Sequence, residues 1–184
     1  MQGDTIERLF VSLPVPEQAM EPIERSFGQY PQYIERALPR ENWHLTLLFL
    51  GEIKNPTQYY GRLKLPLPQQ FVPTVRITHV GRGLNKHQLW AYAEPSGVLA
   101  NLRNDLMGRL KKMRFRFGEN ATIEENDFVP HITIAQLFPI AGGVGMADFP
   151  VNVSWSAHQA QIVRSSPQPH GSRYEVQHAI SLTA

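Results

Sequence analysis

The segment His44-Leu-Thr-Leu-Leu-Phe-Leu50 predicts a buried β-strand, and it opens with a histidine and a threonine. A second segment, Phe128-Val-Pro-His-Ile-Thr-Ile134, contains the same pattern as His131-Ile-Thr-Ile134. Of the seven histidines, only these two are followed by threonine two positions later. Because the two copies lie far apart in the chain, they indicate one site assembled from two related lobes rather than a local repeat.

The spacing within each copy places the two polar side chains together. In a β-strand, residues i and i+2 point to the same face of the sheet. His44 and Thr46 would therefore project on one side, and His131 and Thr133 would do the same on their own strand. Two such strands facing each other would surround one cavity with two imidazoles and two hydroxyls.

That set of groups suits a phosphodiester. Histidine titrates near neutral pH, so one imidazole can accept a proton from water while the other donates a proton to the leaving oxygen. A threonine hydroxyl can donate a hydrogen bond to a phosphate oxygen as negative charge develops there. A single His-x-Thr on a strand is more often a half-buried histidine, but the paired copies favour catalysis.

A metal site is the competing interpretation of two histidines. Zinc takes three or four protein ligands, and neither Asp nor Glu recurs beside the two motifs. The chain has no cysteine, which also excludes a disulfide scaffold, a thiolate metal site and a cysteine nucleophile. The sequence therefore predicts neither a metal nor any other cofactor.

The remaining pattern predicts an α+β fold with antiparallel sheet, because strands come in hairpins and helices are few. Ser96 is a candidate N-cap for the second helix, and Pro22 falls inside the first. A short helix over 56–63 and a flexible glycine-rich loop over 141–145 are further expectations. Strands are predicted over 8–13, 44–50, 74–80, 88–93, 128–134, 156–165 and 173–182, and helices over 16–30 and 96–113.

Composition and charge restrict the function only loosely. Hydrophobic residues make up 42% of the 184 residues, which excludes a disordered chain, and the net charge of +2 permits a phosphate ligand without requiring one. The basic stretch over 109–116 is interpreted as a solvated helix end rather than an RNA contact. The start of the chain is polar and no long apolar run follows, so we expect no membrane span and a cytoplasmic location.

The paired motifs resemble those of the 2H phosphoesterase superfamily. Their contexts, Glu41-Asn-Trp-His-Leu-Thr-Leu-Leu-Phe-Leu-Gly-Glu52 and Phe128-Val-Pro-His-Ile-Thr-Ile134, look like those of bacterial and archaeal RNA 2′,3′-cyclic phosphodiesterases, also called 2′-5′ RNA ligases. The opening strand over 8–14, the pair Leu89-Trp90 and the closing segment Gly171-Ser-Arg-Tyr-Glu-Val176 are similar too. The resemblance thus covers nearly the whole chain.

This resemblance implies one bilobal domain over 1–184, with two pseudo-repeated lobes, an antiparallel sheet and flanking helices in each, and the site in the central cleft. It implies metal-independent hydrolysis of RNA 2′,3′-cyclic phosphate ends to 2′-phosphates. His44 would be the proton donor to the departing 3′ oxygen, and His131 would be the proton acceptor that activates water. Thr46 and Thr133 would bind the phosphate.

Several further residues are candidate substrate contacts. Many relatives carry a basic residue where this chain has Gln136, so we expect Gln136 to bind without charge and Arg164 or Arg173 to supply the cation. Single-stranded RNA binders often stack bases on aromatic rings. The three candidates for stacking are Phe10, Trp43 and Trp90, although half-buried strands favour aromatic residues in any case.

Two alternatives to hydrolysis of cyclic ends stay open from the sequence. The same four residues would serve a 2′-5′ RNA ligase or a 2′-5′ phosphodiesterase. A non-catalytic protein that binds RNA ends is the other alternative, and Gln136 is the feature that favours it. In each case the partner is RNA or a nucleotide, and we expect a monomer with no obligate protein partner.

Overall fold

The computed structural model describes residues 6–28, 31–57, 59–60, 72–119, 121, 128–139, 146–169 and 171–182. The glycine-rich loop over 141–145 lies outside these residues, as do residues 58 and 61–63 of the helix expected over 56–63; residues 57, 59 and 60 are helical. In chain order the elements are β1 (Ile6–Pro14), α1 (Glu17–Phe27), β2 (Ile34–Ala37), β3 (His44–Lys54), β4 (Thr74–Arg82), β5 (Gln88–Ala93), α2 (Gly97–Lys112), β6 (His131–Leu137), β7 (Phe149–Ser156), β8 (Gln159–Gln168) and β9 (Gly171–Ser181).

The strands form an antiparallel sheet in the order β7-β4-β5-β6-β3-β1-β8-β9, with β2 paired to β6 outside this path. The sheet has two halves, β7-β4-β5-β6 and β3-β1-β8-β9. They join through one residue pair, Leu45 with Ile132, on strands that are antiparallel to each other. The predicted α+β class with antiparallel sheet is confirmed.

Each helix follows a strand of one half of the sheet and packs against the other half. Helix α1 follows β1 in the chain but packs against β7 and β4 of the other half. Helix α2 follows β5 but packs against β3. Each half is therefore covered in part by a helix from the other, and we propose that the chain is one domain of two lobes.

Local sequence explains both helices. Ser96 caps α2 as predicted, since its hydroxyl accepts a hydrogen bond from the amide of Leu99. The apolar stripe of α2 is buried, with Leu99, Leu102, Leu106 and Leu110 all against the core. Helix α1 continues through Pro22, so that proline does not end it. In the described part of the chain neither helix has the length and apolar character needed to cross a membrane.

Two strands were not predicted. The stretch over 149–156 contains Pro150, which argues against a central strand, and β7 is in fact at the end of the sheet where a proline is tolerated. Strand β2 is short and mostly exposed, so its four residues have the pattern of a polar loop. Pairing to β6, which sequence patterns do not show, is what makes it a strand.

Strand limits also differ from expectation. Strand β3 does not stop at Gly51 but continues to Lys54. Gly51 has φ +86°, and a side chain there would meet the backbone of Gly118 and Glu119. Glycine at this position therefore permits a close chain contact inside a strand rather than ending it. Strand β6 begins at His131, so residues 128–130 precede it.

Candidate active site

A cavity of about 240 Å³ lies beside the junction of the two halves. It is called here the phosphate cavity, and it brings together three of the four motif residues with the more distant Gln136. Its lining side chains include Arg8, Phe10, His44, Thr46, Gln88, Thr133, Gln136, Ser172 and Tyr174. His131, the fourth motif residue, is not among the side chains that line this cavity.

The register of the junction explains how the motifs meet. Leu45 pairs with Ile132, and both side chains are completely buried. In an antiparallel pair, one step to either side places His44 next to Thr133 and Thr46 next to His131. The two motifs also share their pattern of buried and half-buried positions over 44–50 and 131–137. The polar groups therefore alternate across the junction, with each hydroxyl beside the other strand's imidazole.

Both imidazoles are held in the same tautomer. Nδ1 of His44 lies 2.7 Å from the carbonyl oxygen of Asn42, and Nδ1 of His131 lies 2.7 Å from that of Val129. Because a carbonyl only accepts hydrogen bonds, each Nδ1 must carry the proton. Each Nε2 is then left to accept a proton when the ring is neutral and to donate one when it is charged.

Aromatic rings fix the planes of both histidines. His44 stacks on Phe10 with ring centroids 4.7 Å apart, and Tyr174 meets it edge-on at 5.0 Å. His131 stacks on Trp90 with centroids 3.5 Å apart and an angle of 13° between the rings. Each stacked partner comes from the strand next to its histidine, β1 beside β3 and β5 beside β6.

Burial makes both histidines less basic. The pKa of His44 is lowered to about 4, mainly by burial; the hydrogen bond to Asn42 opposes this lowering, and the positive charge of a protonated His131 adds to it. Burial also lowers the pKa of His131 from its ordinary value of 6.5, while the hydrogen bond to Val129 raises it. At neutral pH the empty site therefore holds two neutral imidazoles, each with a free Nε2.

Two curated archaeal proteins are similar to the chain in sequence. An RNA 2′,3′-cyclic phosphodiesterase of Archaeoglobus fulgidus is 26% identical over 136 residues, covering 71% of this chain and 72% of the relative. A protein of the same name from Methanocaldococcus jannaschii is 24% identical over 178 residues, covering 92% and 97%. No protein-family model matches the chain.

The fold has close counterparts among solved structures. The crystal structure of TT0787 from Thermus thermophilus has a TM-score of 0.80 at 24% identity, covering 95% of this chain and 97% of that one. The Escherichia coli LigT structure with 3′-AMP has a TM-score of 0.76 at 23% identity, covering 98% and 100%. The chain thus has the fold of these structures, and it is similar in sequence to two archaeal RNA 2′,3′-cyclic phosphodiesterases.

The three aromatic candidates are largely buried. Trp43 is only 4% exposed, and its indole N–H donates to the carbonyl of Leu38, so most of it packs in the core. Phe10 and Trp90 are buried as well, and each has one face stacked against a histidine. Phe10 and Trp90 therefore support the two imidazoles.

Arg164, an expected source of positive charge, is not among the residues that line the phosphate cavity. Its guanidinium forms ion pairs with Glu175 and Glu7, and it lies in a neighbouring pocket outside the phosphate cavity. Arg173 pairs with Glu175 at 3.0 Å and is largely exposed. Gln136, in contrast, lines the phosphate cavity and can offer an uncharged hydrogen bond there.

Arg8 is the residue that the sequence argument missed. It lines the phosphate cavity, with its guanidinium carbon 4.9 Å from the ring centre of Phe49. Two positions from Phe10 on the same strand, it shares the face that Phe10 presents to His44. That alternation was visible in the sequence, but the pairing of β1 with β3 was not.

The described residues contain no group of three or more His, Asp or Glu side chains placed to hold a metal ion. The polar groups that line the cavity are one imidazole, hydroxyls, amides and one guanidinium. These are hydrogen-bond donors suited to an anion.

Proposed function

We propose that this protein is a 2H phosphoesterase that hydrolyses RNA 2′,3′-cyclic phosphate ends to 2′-phosphates, with His44 as proton donor and His131 as proton acceptor. The observation that carries the proposal is the matched pair of imidazoles, each with Nδ1 bound to a backbone carbonyl and Nε2 left free. Acid–base catalysis at one phosphorus needs two such groups on opposite sides of it. The two similar archaeal proteins bear the name of this activity.

The reaction follows from this arrangement. Nε2 of neutral His131 takes a proton from a water molecule, and the water oxygen forms a bond to phosphorus. The bond between phosphorus and the 3′ oxygen breaks, and protonated His44 gives its Nε2 proton to that oxygen. The product keeps the phosphate on the 2′ oxygen, and the proton balance is restored when His131 passes its proton to solvent and His44 regains one.

Substrate binding supplies the charge that His44 needs. In the empty cavity burial keeps the pKa of His44 at about 4. A phosphate anion beside the ring favours its charged form and therefore raises this pKa. His44 is thus protonated only once a substrate is present, while His131, on the side of the attacking water, stays neutral.

Thr46, Thr133 and Arg8 would hold the phosphate. The two hydroxyls lie on the same cavity wall as His44, and both can donate to non-bridging oxygens. The Arg8 guanidinium adds a permanent positive charge that Gln136 does not provide. Because all these groups come from a single chain, we propose that a monomer contains the complete site.

Three substrates separate this proposal from its alternatives. We expect a 2′,3′-cyclic mononucleotide and an RNA with a cyclic end to be hydrolysed, and a 2′-5′ dinucleotide to react more slowly or not at all. EDTA should leave the rates of hydrolysis unchanged, because the proposed catalytic groups include no metal. A preference for the 2′-5′ dinucleotide would favour the phosphodiesterase alternative, and binding without any product would favour an RNA-end binder.

Replacing Arg8 by glutamine should weaken substrate binding. The variant loses a charge-assisted hydrogen bond to phosphate, so we expect KM to rise about 10-fold, equivalent to roughly 1.5 kcal/mol. Arg8→Lys should recover only part of the loss, because lysine lacks the planar fork. Arg173→Gln is the matched control, since Arg173 lies outside the cavity lining. Equal KM values for wild type, Arg8→Gln and Arg173→Gln would contradict the role of Arg8.

A further inference from the structure

A second pocket of about 270 Å³ lies on the other side of His44 from the phosphate cavity. His44 and Tyr174 line both spaces, so their two rings form the wall between them. This second space is called here the Ser12 pocket. Its lining includes Ser12, Glu41, Trp43, Gln161, Tyr174 and Val176.

The hydroxyl of Ser12 carries the inference. Ser12 is 0% exposed, and its Oγ has no hydrogen-bond partner among the residues that the structure describes. It pairs with Thr46 on one side and Gln161 on the other, and it is one of the residues that line the pocket. A buried hydroxyl without a partner costs free energy, and alanine or valine would suit this strand better. A ligand that bonds to Oγ would offset that cost.

The lining of the pocket suits a flat, neutral ring. Trp43, Val163 and Val176 supply apolar walls, and Tyr174 supplies an aromatic one. Its volume is below the roughly 300 Å³ at which pockets for drug-sized ligands begin. The carboxylate of Glu41 would repel a second phosphate, and Arg40 at the rim is already paired with Glu24 and Glu17.

The polar groups of the pocket define which ring fits. Nε2 of Gln161 donates to Gln159 at 3.2 Å, which leaves the amide oxygen of Gln161 as an acceptor. The carboxylate of Glu41 accepts hydrogen bonds only. Together with the hydroxyl of Ser12, these acceptors favour a ring that carries an exocyclic amino group. Carboxylates recognise the amino group of cytosine in the same way.

We propose that the Ser12 pocket binds the nucleobase of the terminal nucleotide and prefers adenine, cytosine or guanine to uracil. This inference rests on the proposed function, in which His44 protonates the departing 3′ oxygen. The ribose must then lie on the His44 side of the phosphorus, opposite the attacking water. Because His44 and Tyr174 line both spaces, we assign the Ser12 pocket to the base attached to that ribose.

Ser12→Ala tests the pocket against a matched control. The measured quantity is kcat/KM for a 2′,3′-cyclic cytidine phosphate divided by kcat/KM for the 1,2-cyclic phosphate of glycerol, which has no base. We expect this ratio to fall about 3- to 10-fold in Ser12→Ala, the size of one hydrogen bond. Ser26→Ala removes another buried, unpartnered hydroxyl, on α1, and should keep the wild-type ratio. Equal ratios in both variants would overturn the proposal.

Thermal unfolding shows whether the Ser12→Ala effect is structural. Removing an unpartnered buried hydroxyl should leave the melting temperature unchanged or raise it. A lower ratio in a protein at least as stable as wild type therefore supports a ligand role for Ser12. A lower ratio accompanied by a large drop in melting temperature would mean that Ser12 serves the fold, and would overturn the proposal.

Glu41→Gln tests the base preference. An amide can donate as well as accept, so the preference for cytidine over uridine cyclic phosphates should fall at least 3-fold in this variant, about the size of a weak hydrogen bond. An unchanged preference, or none in the wild type, would overturn the assignment of amino-bearing bases.

Nucleoside binding separates failure of the pocket from failure of the proposed reaction. Cytidine carries no phosphate, and its binding can be measured by calorimetry or by NMR titration. Binding to the wild type that weakens in Ser12→Ala but not in Ser26→Ala supports the pocket, even if no cyclic phosphate is turned over. No cytidine binding to the wild type, together with active hydrolysis, would overturn the pocket and leave the proposed function standing.

Discussion

Replacing either His44 or His131 by asparagine should lower kcat for a 2′,3′-cyclic nucleotide by roughly 10²–10⁴-fold. Asparagine can still donate to the backbone carbonyl that each Nδ1 now contacts, so the strand ends should keep their structure. Each variant lacks the Nε2 atom that would transfer the proton. Steady-state kinetics with circular dichroism of each variant measure both points.

The double variant and a third histidine serve as controls. Two groups that act on one phosphorus are not independent, so His44→Asn with His131→Asn should lose less than the product of the single losses. His158→Asn changes an exposed histidine outside the cavity and should keep wild-type kcat. Full activity in His44→Asn or in His131→Asn, with the fold intact, would contradict the proposed roles.

The free energy of unfolding should fall as the pH is lowered from 6.5 to 4. Unfolded His44 binds a proton near pH 6.5, whereas burial keeps the pKa of folded His44 at about 4. The unfolded chain therefore binds more protons in this window, which destabilises the fold by about 3 kcal/mol from this one residue. His131, whose pKa is also lowered, acts in the same direction.

Denaturant titrations at several pH values measure this slope. His44→Gln should flatten the dependence between pH 6.5 and pH 4. Inorganic phosphate should flatten it too, because an anion in the cavity favours protonated His44. A slope that is the same in wild type and His44→Gln would contradict the burial argument.

The same pKa directions predict the pH profile of catalysis. The maximum of kcat/KM, which reports the free enzyme, should lie below pH 6.5, because both histidines have lowered pKa values there. The profile of kcat reports the complex, in which the phosphate raises the pKa of His44. Its alkaline limb should therefore lie at higher pH than that of kcat/KM. Coincident alkaline limbs would show that substrate binding does not protonate His44.

The chemistry-bearing residues were accessible from the sequence because strand alternation is a local rule. Two copies of His-x-Thr determine which side chains share a face, and the structure places His44, Thr46 and Thr133 in one cavity. Helix α2 was equally predictable, since the cap at Ser96 lies within a few residues of the amide it binds.

What the sequence did not reveal depends on contacts between distant segments. Arg8 lines the cavity because β1 pairs with β3. Arg164 forms an ion pair with Glu7, which is far away in the chain. Trp43 has a ring of the kind that stacks on bases, yet most of it is buried, and its indole N–H is hydrogen-bonded to the carbonyl of Leu38. Strands β2 and β7 exist because of their neighbours in the sheet rather than their own patterns.

Product analysis on a 2′,3′-cyclic nucleotide tests the central claim most directly. If His44 protonates the 3′ oxygen while His131 activates water on the opposite side, the phosphate must remain on the 2′ oxygen. Phosphorus NMR of the wild-type reaction in the presence of EDTA should therefore show the 2′-phosphate as product, with no signal above background in His131→Asn. A 3′-phosphate, or the same product at the same rate in His131→Asn, would contradict the account.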